Sequence, residues 1–295
     1  MGARELLLIT RPWSFPMTII CVGSGYAYGH WSGALLDPVL LSLTIAGSVA
    51  LHAMTNVVND YFDFARGVDR PGAGTTIYRP HPIVHGLLSP RETLVYGLSF
   101  GALAMVVALA LYAMSRPLAL ILGLLGLASA FWYSGPPLAL KYRGLGELQV
   151  LLTWGPLMFL GGYYVCTGRL DVGPALASLP LGLLVAAVLL ANNVRDIETD
   201  SRAGVRTIAV ALGTRRALRL YEFMVLSPYA ISVALASLRL LPVASLLCLA
   251  SLPAALSLAS SMRREIPADA DPRTARLVLL FGLLYLVGIA ISSAL

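Results

Sequence analysis

Long apolar runs, each closed by a charged residue, dominate the chain. Cutting it at every Asp, Glu, Lys and Arg leaves nine: 12–36, 38–59, 93–115, 117–140, 148–168, 172–194, 223–238, 240–262 and 277–295. Most reach the roughly 20 residues a helix needs to cross about 30 Å of hydrocarbon. The short run 223–238 recruits Leu220 and Tyr221 from beyond Glu222. Apolar and polar residues do not alternate with a period of two, which excludes a β-barrel. The pattern predicts an all-α membrane protein of nine transmembrane helices. With the first helix set aside, the order helix, long inner loop, hairpin, inner loop, helix is given twice, as two pseudo-repeated four-helix sets. No linker or low-complexity segment divides the chain, so 1–295 is expected as a single polytopic domain. The first run is long and eight follow it, so it is read as a span and not as a cleavable signal.

Composition strengthens this reading. Hydrophobic residues make up 58% of the chain and charged residues 12%, with a mean hydropathy of +0.78; a soluble domain carries about 25% charged residues. Orientation follows from the basic residues. With the segments taken alternately, all 21 Lys and Arg except Arg116, Arg169 and Arg239 fall on one side. That side is expected to be cytoplasmic, with the N-terminus inside, the C-terminus outside and the plasma membrane as location. The net charge of +6 then reports topology and calls for no nucleic-acid partner. Cys21, Cys166 and Cys248 have no paired spacing, so neither a disulfide framework nor a zinc site is suggested.

Two polar stretches end apolar runs: Asn56-Val-Val-Asn59-Asp60-Tyr-Phe-Asp63 and Asn192-Asn193-Val-Arg-Asp196-Ile-Glu-Thr-Asp200. On a helix, Asn56, Asn59 and Asp63 fall at i, i+3 and i+7 on one face, with Asp60 beside them. Asn193, Asp196 and Asp200 repeat the spacing. Solvation of helix ends would explain such residues, but carboxylates at a helix C-terminus oppose the macrodipole, and an unpaired amide further in is costly. Clustered carboxylate and amide oxygens suit a hard cation such as Mg2+. Two clusters, each holding a metal that bridges to one diphosphate, satisfy the charge balance. The EF-hand spacing is absent. Arg11, Arg79 and Lys141 stand at the mouth of a span or among Pro and Gly, which favours shaped loops that could touch phosphate. His81 and His85 are four apart, but Pro80 and Pro82 deny them the helix that would align them as ligands. The Gly-x-Gly patterns near 141–147 lack a phosphate-loop Lys-Ser/Thr.

These motifs resemble the UbiA superfamily of intramembrane aromatic prenyltransferases. The first stretch matches its Asn-Asp-x-x-Asp signature, the second its Asp-x-x-x-Asp. Within it, the MenA branch, which prenylates 1,4-dihydroxy-2-naphthoate in menaquinone synthesis, is the nearest likeness. Four segments carry it: Asn59–Asp63 with Gly67-x-Asp69, Ser134–Pro137 with Gly144–Glu147, Gly155–Met158 with Tyr163–Gly168, and Asn192–Asp196 through Thr207–Gly213. Val205 departs from the pattern, in which Lys is common; Arg206 stands beside it.

The resemblance implies a UbiA-like bundle and Mg2+-dependent transfer from a polyprenyl diphosphate to an aromatic acceptor within the lipid bilayer. It places the metal and the catalysis on Asn59, Asp60, Asp63, Asp196 and Asp200, and substrate contacts on Arg11, Asn56, Arg79, Lys141 and Asn193. The loop 64–90 is expected to be a mobile lid hinged at Gly67, Gly72, Gly74 and Gly86. Homogentisate, 4-hydroxybenzoate and a glycerol-phosphate ether are the other acceptors to weigh. A cation-coupled transporter using the acidic stripes as ion sites is the reading from another class.

Overall fold

The computed structural model describes residues 2–72, 76 and 79–292; Gly74, expected as a hinge, lies outside them. Among the described residues the regular elements are all helical. In chain order they are α1 (Ala3–Ile9), α2 (Phe15–Trp31), α3 (Pro38–Ala65), α4 (Pro90–Ala113), α5 (Leu118–Trp132), α6 (Gly146–Thr167) and α7 (Val172–Arg195). Short α8 (Ile197–Arg202) and α9 (Ile208–Leu212) lead to α10 (Thr214–Ser237), α11 (Val243–Arg264) and α12 (Ala270–Ile291).

Each of the nine apolar runs holds a helix, but nine crossings do not follow from length. Seven helices are long and apolar enough to span a bilayer: α3, α4, α6, α7, α10, α11 and α12. The first run is broken, with α1 meeting the segment Pro12–Trp31 at 47°. Helix α5 has 15 residues, about 22 Å at the α-helical rise, which is short of the hydrocarbon thickness.

Local chemistry fixes the ends. Asp37 caps α3, its Oδ1 accepting from the amides of Val39 at 2.8 Å and Leu40 at 3.1 Å, and Pro38 occupies the first turn. Gly67, at φ 71°, closes the other end. Ser89 and Glu92 form a capping box at α4, with Pro90 inside it. Arg11 takes a left-handed φ of 57° at the bend that joins α1 to α2, which turns the chain into its first crossing.

Lipid tails are as apolar as leucine, so close packing, not exclusion from water, holds such helices together. Glycines permit the closest approaches. A Cβ built on Gly25 of α2 would lie 1.9 Å from the Phe159 carbonyl of α6, and one on Gly162 of α6 would lie 2.2 Å from the Val22 carbonyl. The core is lopsided. Buried Leu181, Leu184, Leu190, Tyr221, Phe281 and Tyr285 fill the side formed by α7, α10 and α12, whereas α3, α4, α5 and α6 surround a cavity.

Gly25→Ala and Gly162→Ala should each destabilise the fold by about 1–3 kcal/mol, the usual cost of overpacking. Gly23→Ala, whose Cβ would sit 3.6 Å from Leu286, should be neutral. Thermal unfolding of the detergent-solubilised variants reads the difference.

Candidate functional site

The cavity has a volume of about 590 Å³ and runs along α3 from Leu43 to Asp63, about 30 Å at the helical rise. Its composition is graded. Arg11, Asn56, Asn59, Asp63, Arg79 and Lys141 line one end, and Leu43, Val107, Leu111 and Leu122 the other.

At the polar end the C-terminal turns of α3 present the first stretch. Asp60 is fully buried. Arg79 grips both its oxygens, Nη2 to Oδ1 at 2.8 Å and Nη1 to Oδ2 at 2.9 Å, and Arg11 Nη2 also donates to Oδ1. Asn59 donates to Asp63 Oδ2 at 2.8 Å. Lys141 Nζ bridges the same pair, 2.6 Å from Asp63 Oδ2 and 3.1 Å from Asn59 Oδ1, and the Tyr142 hydroxyl donates to Asp63 Oδ1 at 2.6 Å. Asn56 turns aside, its amide donating to the Thr10 carbonyl at 2.9 Å.

The loop after α5 reaches this network because Arg66, at the end of α3, donates to the Ser134 carbonyl at 2.7 Å and stacks on the Tyr142 ring. Burial draws the Lys141 ammonium down, but the Asp63 carboxylate, with Tyr142 and Tyr133, holds its pKa above the usual lysine range. Burial followed by the charge of Asp63 pushes the Tyr142 phenol up, so it remains a donor.

Among its described residues, the loop carrying Arg79 makes further polar contacts beside this network. His81 is fully buried and accepts at Nδ1 from the amides of Ile83 at 3.2 Å and Val84 at 3.1 Å. A neutral ring must therefore carry its proton on Nε2, which faces Asp69 Oδ2 at 3.1 Å. Asp60, Asp69 and His81 bring possible ligand atoms within 4.8 Å of one another. These hydrogen bonds already engage them. Prolines prevent a helix here, as read from the sequence, but a turn places His81 all the same.

The second stretch is organised by Arg195. Its Nε meets Asp196 Oδ1 at 2.9 Å, its Nη2 meets Asp196 Oδ2 at 2.7 Å and Asn192 Oδ1 at 2.6 Å, and its Nη1 meets Asp271. Asn192, not Asn193, lines the cavity. Asn193 donates instead to buried Glu147 Oε1 at 2.8 Å, because one residue along a helix turns the side chain by about 100°. Asp200 stands on α8. Burial first, and then the negative charges of Asp196 and Asp63 against the opposing pull of Lys141, raise its carboxyl to about 6. The two stretches thus act on each other electrostatically, though among the described residues no three of Asp60, Asp63, Asp196 and Asp200 converge within 4.8 Å.

A hard cation fits these oxygens. Asp200 has an elevated proton affinity that a bound cation would relieve, and Asn59, Asp63 and Asp196 offer further oxygen donors. Asp60, also expected among the ligands, is fully buried with both oxygens on guanidiniums. The oxygens of Asp63 and Asp196 are engaged as well, by Lys141 with Tyr142 and by Arg195, and a cation would have to displace those partners. Tyr142, Arg66, Asp69, His81 and Arg195 join the site in addition to the residues the motifs predict. Asp69 and Arg195 lie inside the quoted motifs, whereas the part played by Tyr142 depends on a loop fold that spacing does not encode.

The model of the UbiA prenyltransferase family matches residues 7–291. UbiA prenyltransferase domain-containing protein 1 of Xenopus tropicalis is 35% identical over 291 residues, covering 98% of this chain and 82% of that protein. The protein of that name from Homo sapiens is 34% identical over 292 residues, covering 98% and 84%. Among solved structures, the apo UbiA homolog from Aeropyrum pernix K1 superposes with a TM-score of 0.72 at 20% identity, covering 92% of this chain and 97% of that one. A UbiA homolog from Archaeoglobus fulgidus bound to GPP and Mg2+ gives 0.69 at 16%, covering 99% and 100%.

The raised Asp200 carboxyl sets a pH dependence. It binds its proton more tightly folded than unfolded, so the stability it contributes is present at low pH and is lost as pH rises from 3.8 to about 6. A divalent cation must displace that proton. Cation affinity should therefore fall by up to about tenfold per pH unit below the titration, and Asp200→Asn should remove the inflection. Titration with Mn2+ followed by electron paramagnetic resonance between pH 5 and pH 8 measures both.

Proposed function

The chain belongs to the UbiA prenyltransferase family, and on that premise we propose that it transfers the prenyl group of a polyprenyl diphosphate to 1,4-dihydroxy-2-naphthoate. The observation that carries this is the grading of the cavity: cationic and carboxylate groups at one end, an apolar sleeve at the other. An isoprenoid diphosphate has the same two-ended chemistry. The naphthoate acceptor is supported by the four segments that resemble the MenA branch.

Mg2+ would be held by Asn59, Asp63, Asp196 and Asp200, and when bound it supplies positive charge to the departing diphosphate. The chain's own residues do the rest. Lys141, Arg79 and Arg11 present their cations to the diphosphate at the polar end. Asp60 keeps the two guanidiniums in place before substrate arrives. The C1–O bond of the allylic diphosphate breaks with its electron pair leaving on oxygen, and the electron-rich ring carbon bonds to C1. The ionised carboxyl group on that carbon departs as carbon dioxide and returns its electron pair to the ring. Apolar walls exclude the water that would otherwise intercept C1.

We read residues 1–295 as one domain with nine crossings, counting the bent first helix and α5 as the eighth and ninth, and two four-helix sets after the first. The polar end faces the cytoplasm of a plasma membrane, with the N-terminus on that side and the C-terminus outside.

Asp63→Ala and Asp200→Ala should each lower prenyl transfer about a hundredfold or more while the protein still folds in detergent, with a lower melting temperature for Asp63→Ala because buried Lys141 loses its carboxylate, and a chelator should abolish transfer. Supplied in turn with 1,4-dihydroxy-2-naphthoate, homogentisate, 4-hydroxybenzoate and a glycerol-phosphate ether, the protein should prenylate the naphthoate fastest. Transfer to the ether alone would overturn the aromatic reading.

A further inference from the structure

Between the two ends of the cavity a belt of polar side chains interrupts the apolar wall: His52 from α3, Ser129 from α5, and Gln149, Thr153 and Trp154 from α6. His52 is seven residues from Asn59 along α3, about 10 Å at the helical rise. Hydrogen bonds hold most of the belt rigid. Gln149 Nε2 donates to the Ser129 carbonyl at 2.6 Å and to its hydroxyl at 3.0 Å, and that hydroxyl meets Thr153 Oγ1 at 2.8 Å. His52 is engaged at both nitrogens, by Thr18 Oγ1 at 2.8 Å and Ser14 Oγ at 3.2 Å. Its ring stands edge-on to the Trp154 indole at a centroid distance of 5.0 Å, which fixes the indole.

Two atoms of the belt are buried without a partner: Gln149 Oε1, an acceptor, and Trp154 Nε1, a donor. Trp154 is only 8% exposed. Such atoms are costly to leave unpaired in an apolar wall. Helix α6 is also irregular here. A π-helical turn over Thr153–Leu157, with non-helical Gly155 (ψ −106°), begins one residue before the indole. A Cβ on Gly155 would stand 3.3 Å from Gly182 Cα of α7, so α7 packs close behind the turn.

We propose that this belt is the acceptor subsite, and that it binds an aromatic ring bearing two oxygens. A ring hydroxyl donates to Gln149 Oε1, and a second ring oxygen accepts from Trp154 Nε1. The belt has no Lys, Arg, Asp or Glu, so it reads neutral oxygens; an anionic substituent finds its cations at the Lys141 end. His52 is a positioning residue that acts through the indole. The purpose of the subsite rests on the prenyl-transfer reading above, but its chemistry is tested by binding alone.

The probes are 1,4-dihydroxynaphthalene and its dimethyl ether, titrated calorimetrically into the full chain in detergent. Trp154→Phe keeps the ring against His52 and removes the donor; Gln149→Met keeps the length and removes the acceptor. Each should weaken the diol about tenfold and leave affinity for a non-hydrolysable prenyl diphosphate analogue unchanged. The dimethyl ether, which cannot donate, should bind the wild type about tenfold more weakly than the diol. Gln149→Met should weaken it no further, whereas Trp154→Phe still should. Failure of the wild type to bind the diol, equal affinity in Trp154→Phe, or a matching loss of the diphosphate analogue would overturn the subsite. Diol binding in this pattern without prenyl transfer to any aromatic acceptor would support the subsite and remove the function instead. Transfer with an unchanged acceptor KM in Trp154→Phe would remove the subsite and leave the function.

Discussion

A carboxylate with no exposure to solvent at the end of a membrane helix has to be matched by positive charge, and Asp60 is matched twice. Arg79 grips both its oxygens in a fork and Arg11 adds a third guanidinium contact. Removing one partner from such a buried pair costs about 3–5 kcal/mol in comparable cases, because the remaining charge has no water to turn to. The two arginines come from distant parts of the chain. Arg11 sits at the left-handed bend before α2, and Arg79 on the loop between α3 and α4. Asp60 therefore fixes the entry of the chain into its first crossing and the loop at the mouth of the cavity together. The Asp69–His81 contact, two residues beyond Arg79, secures the same loop a second time.

Around that anchor the polar groups divide by depth. Asn59, Asp63, Lys141 and Tyr142 form a closed network in which each hydrogen bond answers a charge or an amide that hydrocarbon would penalise. On the opposite side of the site, Arg195 gathers Asn192, Asp196 and Asp271, while burial leaves Asp200 with an elevated proton affinity. The arrangement is asymmetric in one residue: Asp60, Asp63 and Asp196 are each paired with cations of the chain itself, and Asp200 retains the affinity that a bound cation would use. The lopsided core serves the same end. Dense packing of α7 against α10 and α12 supplies a rigid wall, and α3 to α6 can then enclose an open sleeve without the bundle collapsing into it.

The class of the fold and the chemistry of the polar end were legible in the chain because each depends on local pattern. Charge-free runs of about 20 residues have no alternative in a bilayer but to be helical, and every such run holds a helix. The carboxylates and amides at the ends of two runs marked the site, since residues so costly in apolar surroundings need a reason to be there. The family likeness followed from those same residues. Length alone could not settle the number of crossings: the first run bends by 47° at the left-handed Arg11 before Pro12, and α5 has only 15 residues.

What only the tertiary structure decided is which groups meet. Helical spacing put Asn193 in the stripe, but the rotation of α7 against α6 turned it to Glu147 and brought Asn192 to the cavity. Composition does not say where the 64–90 loop rests; Arg79 joins it to Asp60 of α3, 19 residues away, and His81 closes it on its own Asp69, 12 residues away. Gln149 and Trp154 share one wall at a π-helical turn that contains Pro156, against which α7 packs closely at Gly155. A sequence records the charges and apolar lengths that must be satisfied. Which partner satisfies each is a long-range choice, made by the angles at which helices cross and the distance to which glycine lets them approach.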